Sequence, residues 1–255
     1  MMLIDRRTTR DYTPWLAMLG LWLAVLIATP IAGWVAGDAT FPTMASLGVV
    51  AQASVTLMAL AGVWPVARLV RAVLIVVTGT WAVEALGIAT GFPFGHYEYT
   101  DALQPQAAGV PLLIPLAWLM MLPPAWAAAG ALVPNVSDWR GRIAFAMLSG
   151  LAFTAWDLYL DPQMVERKLW VWNQGGAYFG IPLVNFVGWW TTATLLTLLI
   201  GPDQLPRLPL LAIYTLTWAF QAVGLGVFWG QPGPALAGFA GMGVLVWLAW
   251  RKERS

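Results

Sequence analysis

Residues 15–37 read "WLAMLGLWLAVLIATPIAGWVAG", a run without a single charged side chain. At 1.5 Å per residue a helix of that length is about 34 Å long, enough to cross the roughly 30 Å hydrocarbon core of a bilayer. The apolar residues are continuous rather than alternating, which favours a helix over a barrel strand. In lipid no water is available to the backbone, so such a run must satisfy its own N–H and C=O groups.

Comparable runs recur along the chain, near 44–66, 72–90, 111–133, 143–160, 181–200, 208–229 and 235–250. The sequence therefore predicts an all-α polytopic transmembrane helix bundle of about eight helices, forming a single integral membrane domain over residues 1–255. "GQPGP" at 230–234 separates the last two runs, so one re-entrant unit is the alternative there. Composition agrees with this class: 60% of residues are hydrophobic, only 10% are charged, and mean hydropathy is +0.71. Soluble domains carry about 25% charged residues.

The cations orient the bundle. Arg6, Arg7, Arg10, Arg68, Arg71, Arg140, Arg142, Arg207, Arg251, Lys252 and Arg254 fall on the side of the N-terminus, and only Arg167 and Lys168 fall opposite. That asymmetry predicts both termini in the cytoplasm and a multi-pass protein of the cell membrane. A net charge of +1 gives no reason to expect a nucleic-acid partner.

The residue inventory narrows the chemistry. Without Cys there is no thiolate nucleophile or iron–sulfur ligand, and His96 is the sole histidine, too few for a di-iron oxygenase. Lys168 and Lys252 lie outside the spans, which disfavours a Schiff base. Strands are not expected, nor a glycine loop that cradles phosphate. No metal and no cofactor are expected; acid–base chemistry, binding and transport remain.

Charges inside lipid are costly and mark function by default. Glu84 lies in the third run, and "TAWDLYLDPQM" at 154–164 places Asp157 and Asp161 at the end of the fifth. Their i, i+4 spacing puts both on one helix face, about 6 Å apart along the axis. All three carboxyls approach the outer half of the membrane. A structural hydrogen bond between helices is the plain alternative, and for Asp161 an ordinary helix end before Pro162. A carboxyl that holds its proton is what general-acid catalysis needs.

Two long outer loops, "TGFPFGHYEYTDALQPQAAGVP" at 90–111 and "DPQMVERKLWVWNQGGAYFGIPLVNFVGWW" at 161–190, are rich in Gly, Pro and aromatic residues. They carry His96, Tyr97, Glu98, Tyr99, Tyr178 and Asn185, and together suggest a lidded pocket. For Trp170, Trp172, Trp189 and Trp190 an interfacial aromatic belt is the simpler reading.

Four words in order, "EALGIATGFPFGHYEYTDAL" (84–103), "GVPLLIPLAW" (109–118), "AWDLYLDPQM" (155–164) and "WVWNQGGAYFGIPLVNFVGWW" (170–190), resemble the carotenoid hydratase family typified by bisanhydrobacterioruberin hydratase. The resemblance implies a hydro-lyase that adds water across the terminal C-1′,2′ double bond of an acyclic carotenoid ψ-end, leaving a tertiary alcohol without any cofactor. It implies a carotenoid substrate dissolved in the bilayer, with other enzymes of that pathway as neighbours. On the matching words it carries over Glu84, Thr90, His96, Tyr97, Asp157, Asp161, Tyr178 and Asn185. The choice of acid comes from the residues instead: Asp157 protonates the substrate, Asp161 or Glu84 tunes it and orients water, and His96 is a further acid–base candidate. Tyr97, Tyr99, Trp172 and Tyr178 are expected around the substrate, where a ring face can stabilise a cation.

Two other classes compete. "DLYLD" has the D-x-x-x-D form with which an intramembrane prenyltransferase holds magnesium diphosphate, although the outer side offers only two cations. A non-enzymatic carotenoid- or lipid-binding protein, or a transporter, would use the carboxyls for packing or proton relay.

Overall fold

The computed structural model describes residues 13–133 and 135–254, so Arg6, Arg7 and Arg10 lie outside the described residues. Among the described residues are eight helices: α1 (Thr13–Ala36), α2 (Phe41–Ala61), α3 (Val66–Thr90), α4 (Leu113–Leu132), α5 (Trp139–Glu166), α6 (Leu183–Ile200), α7 (Arg207–Val223) and α8 (Pro232–Glu253). All eight spans are long and apolar enough to cross a membrane, and this is a multi-pass membrane protein. The last two runs are separate spans rather than one re-entrant unit: α7 closes in a π-turn (Gly224–Phe228), and α8 opens at Pro232.

The bundle is arranged for lipid. Leu21, Val35, Leu199, Val227, Leu236 and Trp247 point outward, while Gln52, Thr56, Thr80, Ser149 and Thr197 are buried. Hydrogen bonds between helices, not apolar burial alone, therefore hold the interior together. Trp126 Nε1 donates to Thr197 Oγ1 at 2.8 Å, and Tyr214 OH to the Ala152 carbonyl at 2.8 Å. Helix α4 is the central post: 89% of its apolar stretch is buried, against 6% for α1.

Proline decides two of these bonds. Within α5, Pro162 has no N–H to give the Leu158 carbonyl one turn earlier. The helix continues to Glu166 regardless, because Tyr178 OH donates to that carbonyl at 2.8 Å. Asp161 consequently sits inside the helix, not at its end as the sequence suggests. In α4, Pro124 frees the Met120 carbonyl in the same way, and Thr56 Oγ1 of α2 fills it at 3.0 Å.

Contrary to the sequence expectation, the long loops contain strands. β1 (Tyr97–Tyr99) and β4 (Trp170–Trp172) pair antiparallel, with Tyr97 opposite Trp172 and Tyr99 opposite Trp170. β2 (Gln106–Ala107) and β3 (Val110–Pro111) form a second, shorter ribbon. The β1–β4 ribbon ties both loops together over one end of the bundle, here the loop face. At the other end Arg68 pairs with Asp203, Arg71 donates to the Ile200 carbonyl at 3.2 Å, and Arg207 meets Glu253 at 3.4 Å.

The repair at Pro162 is testable in isolation. Tyr178→Phe leaves a buried carbonyl unsatisfied and should cost about 1–3 kcal/mol, read as a lower thermal midpoint in detergent. In a Pro162→Ala background the helix supplies its own N–H, and the same substitution should then cost less than about 0.5 kcal/mol.

Candidate active site

Glu84 lies six residues before the end of α3, about 9 Å below the loop face. Successive strand residues face opposite ways, so β1 turns Tyr97 and Tyr99 inward and Glu98 outward. Both inward phenols donate to Glu84 Oε2, Tyr99 at 2.9 Å and Tyr97 in a shorter bond. Burial first, and the neighbouring Glu84 carboxyl second, hold both phenols far above the ordinary tyrosine range. They remain donors across the physiological range. Gly87 makes room for them, since a Cβ there would stand 3.0 Å from both Tyr97 OH and the Phe94 ring.

On α5, Asp157 and Asp161 present their carboxyls to Asn185 of α6. Asn185 Nδ2 gives one hydrogen to Asp157 Oδ2 at 3.0 Å and another to Asp161 Oδ2. Trp170 Nε1 of β4 donates to Asp161 Oδ1 at 3.1 Å. Asp157 Oδ1, like Trp118 Nε1 and Trp172 Nε1 nearby, has no hydrogen-bond partner among the described residues. Asp157, Asp161, Glu84 and Asn185 are 0%, 2%, 2% and 1% exposed, which places this polar cluster wholly inside the bundle.

Glu84, Asp161 and Asn185 face one small chamber of about 20 Å³, walled by Tyr97, Tyr99, Trp118, Trp170, Trp172 and Trp189. A space above about 10–15 Å³ with polar partners accommodates one water molecule. Asp157 sits behind Asp161 and does not line the chamber. Trp118 and Trp189, with ring centroids 5.0 Å apart, pack on Phe153 and fix the apolar wall. The arrangement can hold a water against Glu84. Among the described residues, no three His, Cys, Asp or Glu side chains are placed to hold a metal ion.

The structure thus brings Glu84, Asp157, Asp161, Tyr97, Tyr99, Trp172 and Asn185 to one place. It does not bring His96, Thr90 or Tyr178. His96 has the outward parity of Glu98; it is exposed, and its ring lies over Gly91, the left-handed cap of α3. Thr90 Oγ1 is spent on the α3 terminus, donating to the Leu86 carbonyl at 2.7 Å and accepting from Phe92 N. Tyr178 repairs the break at Pro162. Trp170 and Trp189 are interior walls rather than belt residues, 5% and 7% exposed. The period-two words "YEY" and "WVW" were the signal for an aromatic strand face.

The sequence profile of the family described as "Carotenoid biosynthesis protein" matches residues 43–245, which covers α2 to α8 and every residue of this site. The chain belongs to that family. It is also similar to bisanhydrobacterioruberin hydratase of Haloarcula japonica, 28% identical over 122 residues. That alignment spans 47% of this chain and 40% of the relative's length. The resemblance read from the four sequence words is borne out at the level of this carotenoid biosynthesis family. No solved structure matches the chain at a significant level.

Gly87 is a packing constraint on the Glu84 half of the site. Gly87→Val should displace Tyr97 and Phe94 and destabilise the protein by about 1–3 kcal/mol, measured by thermal unfolding in detergent.

Proposed function

We propose that this protein is a cofactor-independent carotenoid hydratase of the cell membrane, adding water across the C-1′,2′ double bond of an acyclic ψ-end. One observation carries the reading. Two carboxyls on opposite sides, Asp161 and Glu84, face a water-sized chamber walled by aromatic rings in the depth of a lipid-embedded bundle. A relative that is named as a hydratase supports it.

The chemistry follows from alkene hydration. Asp161, which faces the chamber, gives its proton to C-2′, and the π electrons leave a tertiary cation at C-1′. Asp157 behind it, bonded to the same Asn185 amide, is a positioning residue. Of the two aspartates, Asp161 is assigned the donor role here because it lines the chamber. Ring faces of Trp118, Trp172 and Trp189 stabilise the cation, a contribution of about 0.5–2 kcal/mol each. Water held against Glu84 attacks C-1′ and loses its proton to that carboxyl, which Tyr97 and Tyr99 support. Glu84 then returns that proton to Asp161 across the chamber that both line, so the enzyme is restored and the net change is one H₂O added, with no oxidation. The diphosphate reading of "DLYLD" lacks what it needs: no Lys or Arg is among the residues that line the chamber.

Expression in a lycopene-producing bacterium grown in ¹⁸O-labelled water tests the reaction. The expected product is a more polar carotenoid, heavier by one labelled water, with its visible spectrum nearly unchanged. Label from O₂, or untouched lycopene beside membrane-inserted protein, counts against it. Asp161→Asn should lower turnover by at least about 100-fold, and Glu84→Gln should act similarly. Asp157→Asn should be milder and should move the pH profile of kcat/KM. Near-normal turnover of Asp161→Asn would remove that residue from the donor role.

A further inference from the structure

The carboxyl chamber is too small for the end of a carotenoid, yet it shares a wall with a space that is not. Between α1, α2, α5, α7 and the π-turn lies a groove of about 350 Å³. Leu160 is the one described residue that lines both the groove and the chamber. It precedes Asp161 in α5, is 8% exposed, and presents an aliphatic side chain that can change rotamer.

The groove has the form of a slot for a long, rigid hydrocarbon. It follows α1 from Trp22 to Trp34, twelve residues or about 18 Å along the helix. Trp22, Trp34, Phe41, Trp156, Phe228 and Trp229 set flat rings along its walls, among aliphatic side chains. A conjugated chain packs on such rings and loses few rotamers on being held, whereas a saturated acyl chain would lose many. At the loop face the slot is stoppered: Trp34 meets Phe228 at 5.3 Å, Phe41 meets Trp229 at 6.0 Å, and the Arg167 guanidinium covers Phe41 at 3.8 Å. Its opening is therefore sideways, between α1 and the end of α7, where Ile27, Ile31 and Val223 both line the groove and face lipid. The π-turn shapes that edge, and such turns recur at functional sites.

Resting on the hydratase reading above, we propose that this lateral groove receives the polyene chain of the substrate from the bilayer, and that Leu160 is the gate through which the ψ-end swings to meet Asp161. The reactive end then enters the chamber while the conjugated chain stays in the groove. The gate also explains how a water-sized chamber serves a lipid-dissolved substrate.

Lycopene is achiral, so a chain held in the groove acquires circular dichroism in its visible bands. The full-length protein in nanodiscs of saturated phospholipid, mixed with lycopene, should show that signal. Ala45→Trp places a ring in the groove and should abolish it together with turnover. Gly48→Trp, on the same wall, guards against one variant failing to fold. Leu160→Trp should keep the visible signal while turnover falls by about 100-fold, the scale of a misplaced reacting end. Signal retained in both groove-filling variants overturns the groove assignment. Loss of the wild-type signal as the lipid-to-protein ratio rises makes the groove an acyl-chain site and overturns it equally. Normal turnover of Leu160→Trp overturns the gate. A groove signal that obeys these variants in a wild-type protein that never hydrates lycopene leaves the groove standing and fails the hydratase reading alone.

Discussion

Three carboxyls buried in a lipid-embedded bundle form the constraint on which the rest of the structure depends. An acidic residue at the centre of a membrane helix costs about 2.5–3.5 kcal/mol on insertion, and hydrocarbon offers nothing in return. The chain meets that cost with donors drawn from distant segments. Asn185 reaches both aspartates from α6, Trp170 reaches Asp161 from β4, and Tyr97 and Tyr99 reach Glu84 from β1. Each donor requires its own support. The β1–β4 ribbon exists where it does because its inward residues must meet α3 and α5, and Gly87 is small so that one phenol can pass. Removing the acids would remove the reason for most of the loop face.

Proline shows the same logic away from the acids. Pro162 and Pro124 each free a carbonyl in the helix that carries them, and each carbonyl is answered by a hydroxyl from another segment. In water such a carbonyl would bond to solvent; in lipid it must find a partner or cost several kcal/mol. Helix breaks in this bundle therefore act as attachment points. Tyr178 holds the loop after β4 against α5, and so holds Trp170 where it can reach Asp161.

The spans were legible because twenty apolar residues in a row have one physical explanation, and all eight runs became helices. The carboxyl set was legible for a similar reason: charges are so costly in lipid that their presence alone marks them. The polar loops were legible only in part: Tyr97, Tyr99, Trp172 and Asn185 do line the chamber. His96 and Thr90 looked chemical because of what they are, but strand parity and the end of α3 point them away from the acids. Trp170 and Trp189 looked interfacial, because a tryptophan near a span end usually is. The burial of Trp170 follows from two loops pairing across about seventy positions, and that of Trp189 from α6 packing on Trp118 and Phe153, non-local events that no local pattern announces. Pro162 misled differently, since a helix end and a repaired helix look alike until the distant hydroxyl is known.

On the proposed hydratase reading, the separation of chamber from groove answers the demands of alkene hydration. A tertiary cation survives long enough to be captured only where stray nucleophiles are excluded, and proton transfer needs few, fixed waters. A chamber of about 20 Å³ among tryptophans meets both demands, but it cannot also store a polyene. The bulk of a hydrocarbon substrate must then rest elsewhere, in contact with lipid, with only its reacting end exposed to acid and water. Helix α5 solves this with adjacent positions of one turn. Leu160 lines both groove and chamber while Asp161 lines the chamber alone, so on that reading a rotation of roughly 100° about a single helix separates the two environments that the reaction would join.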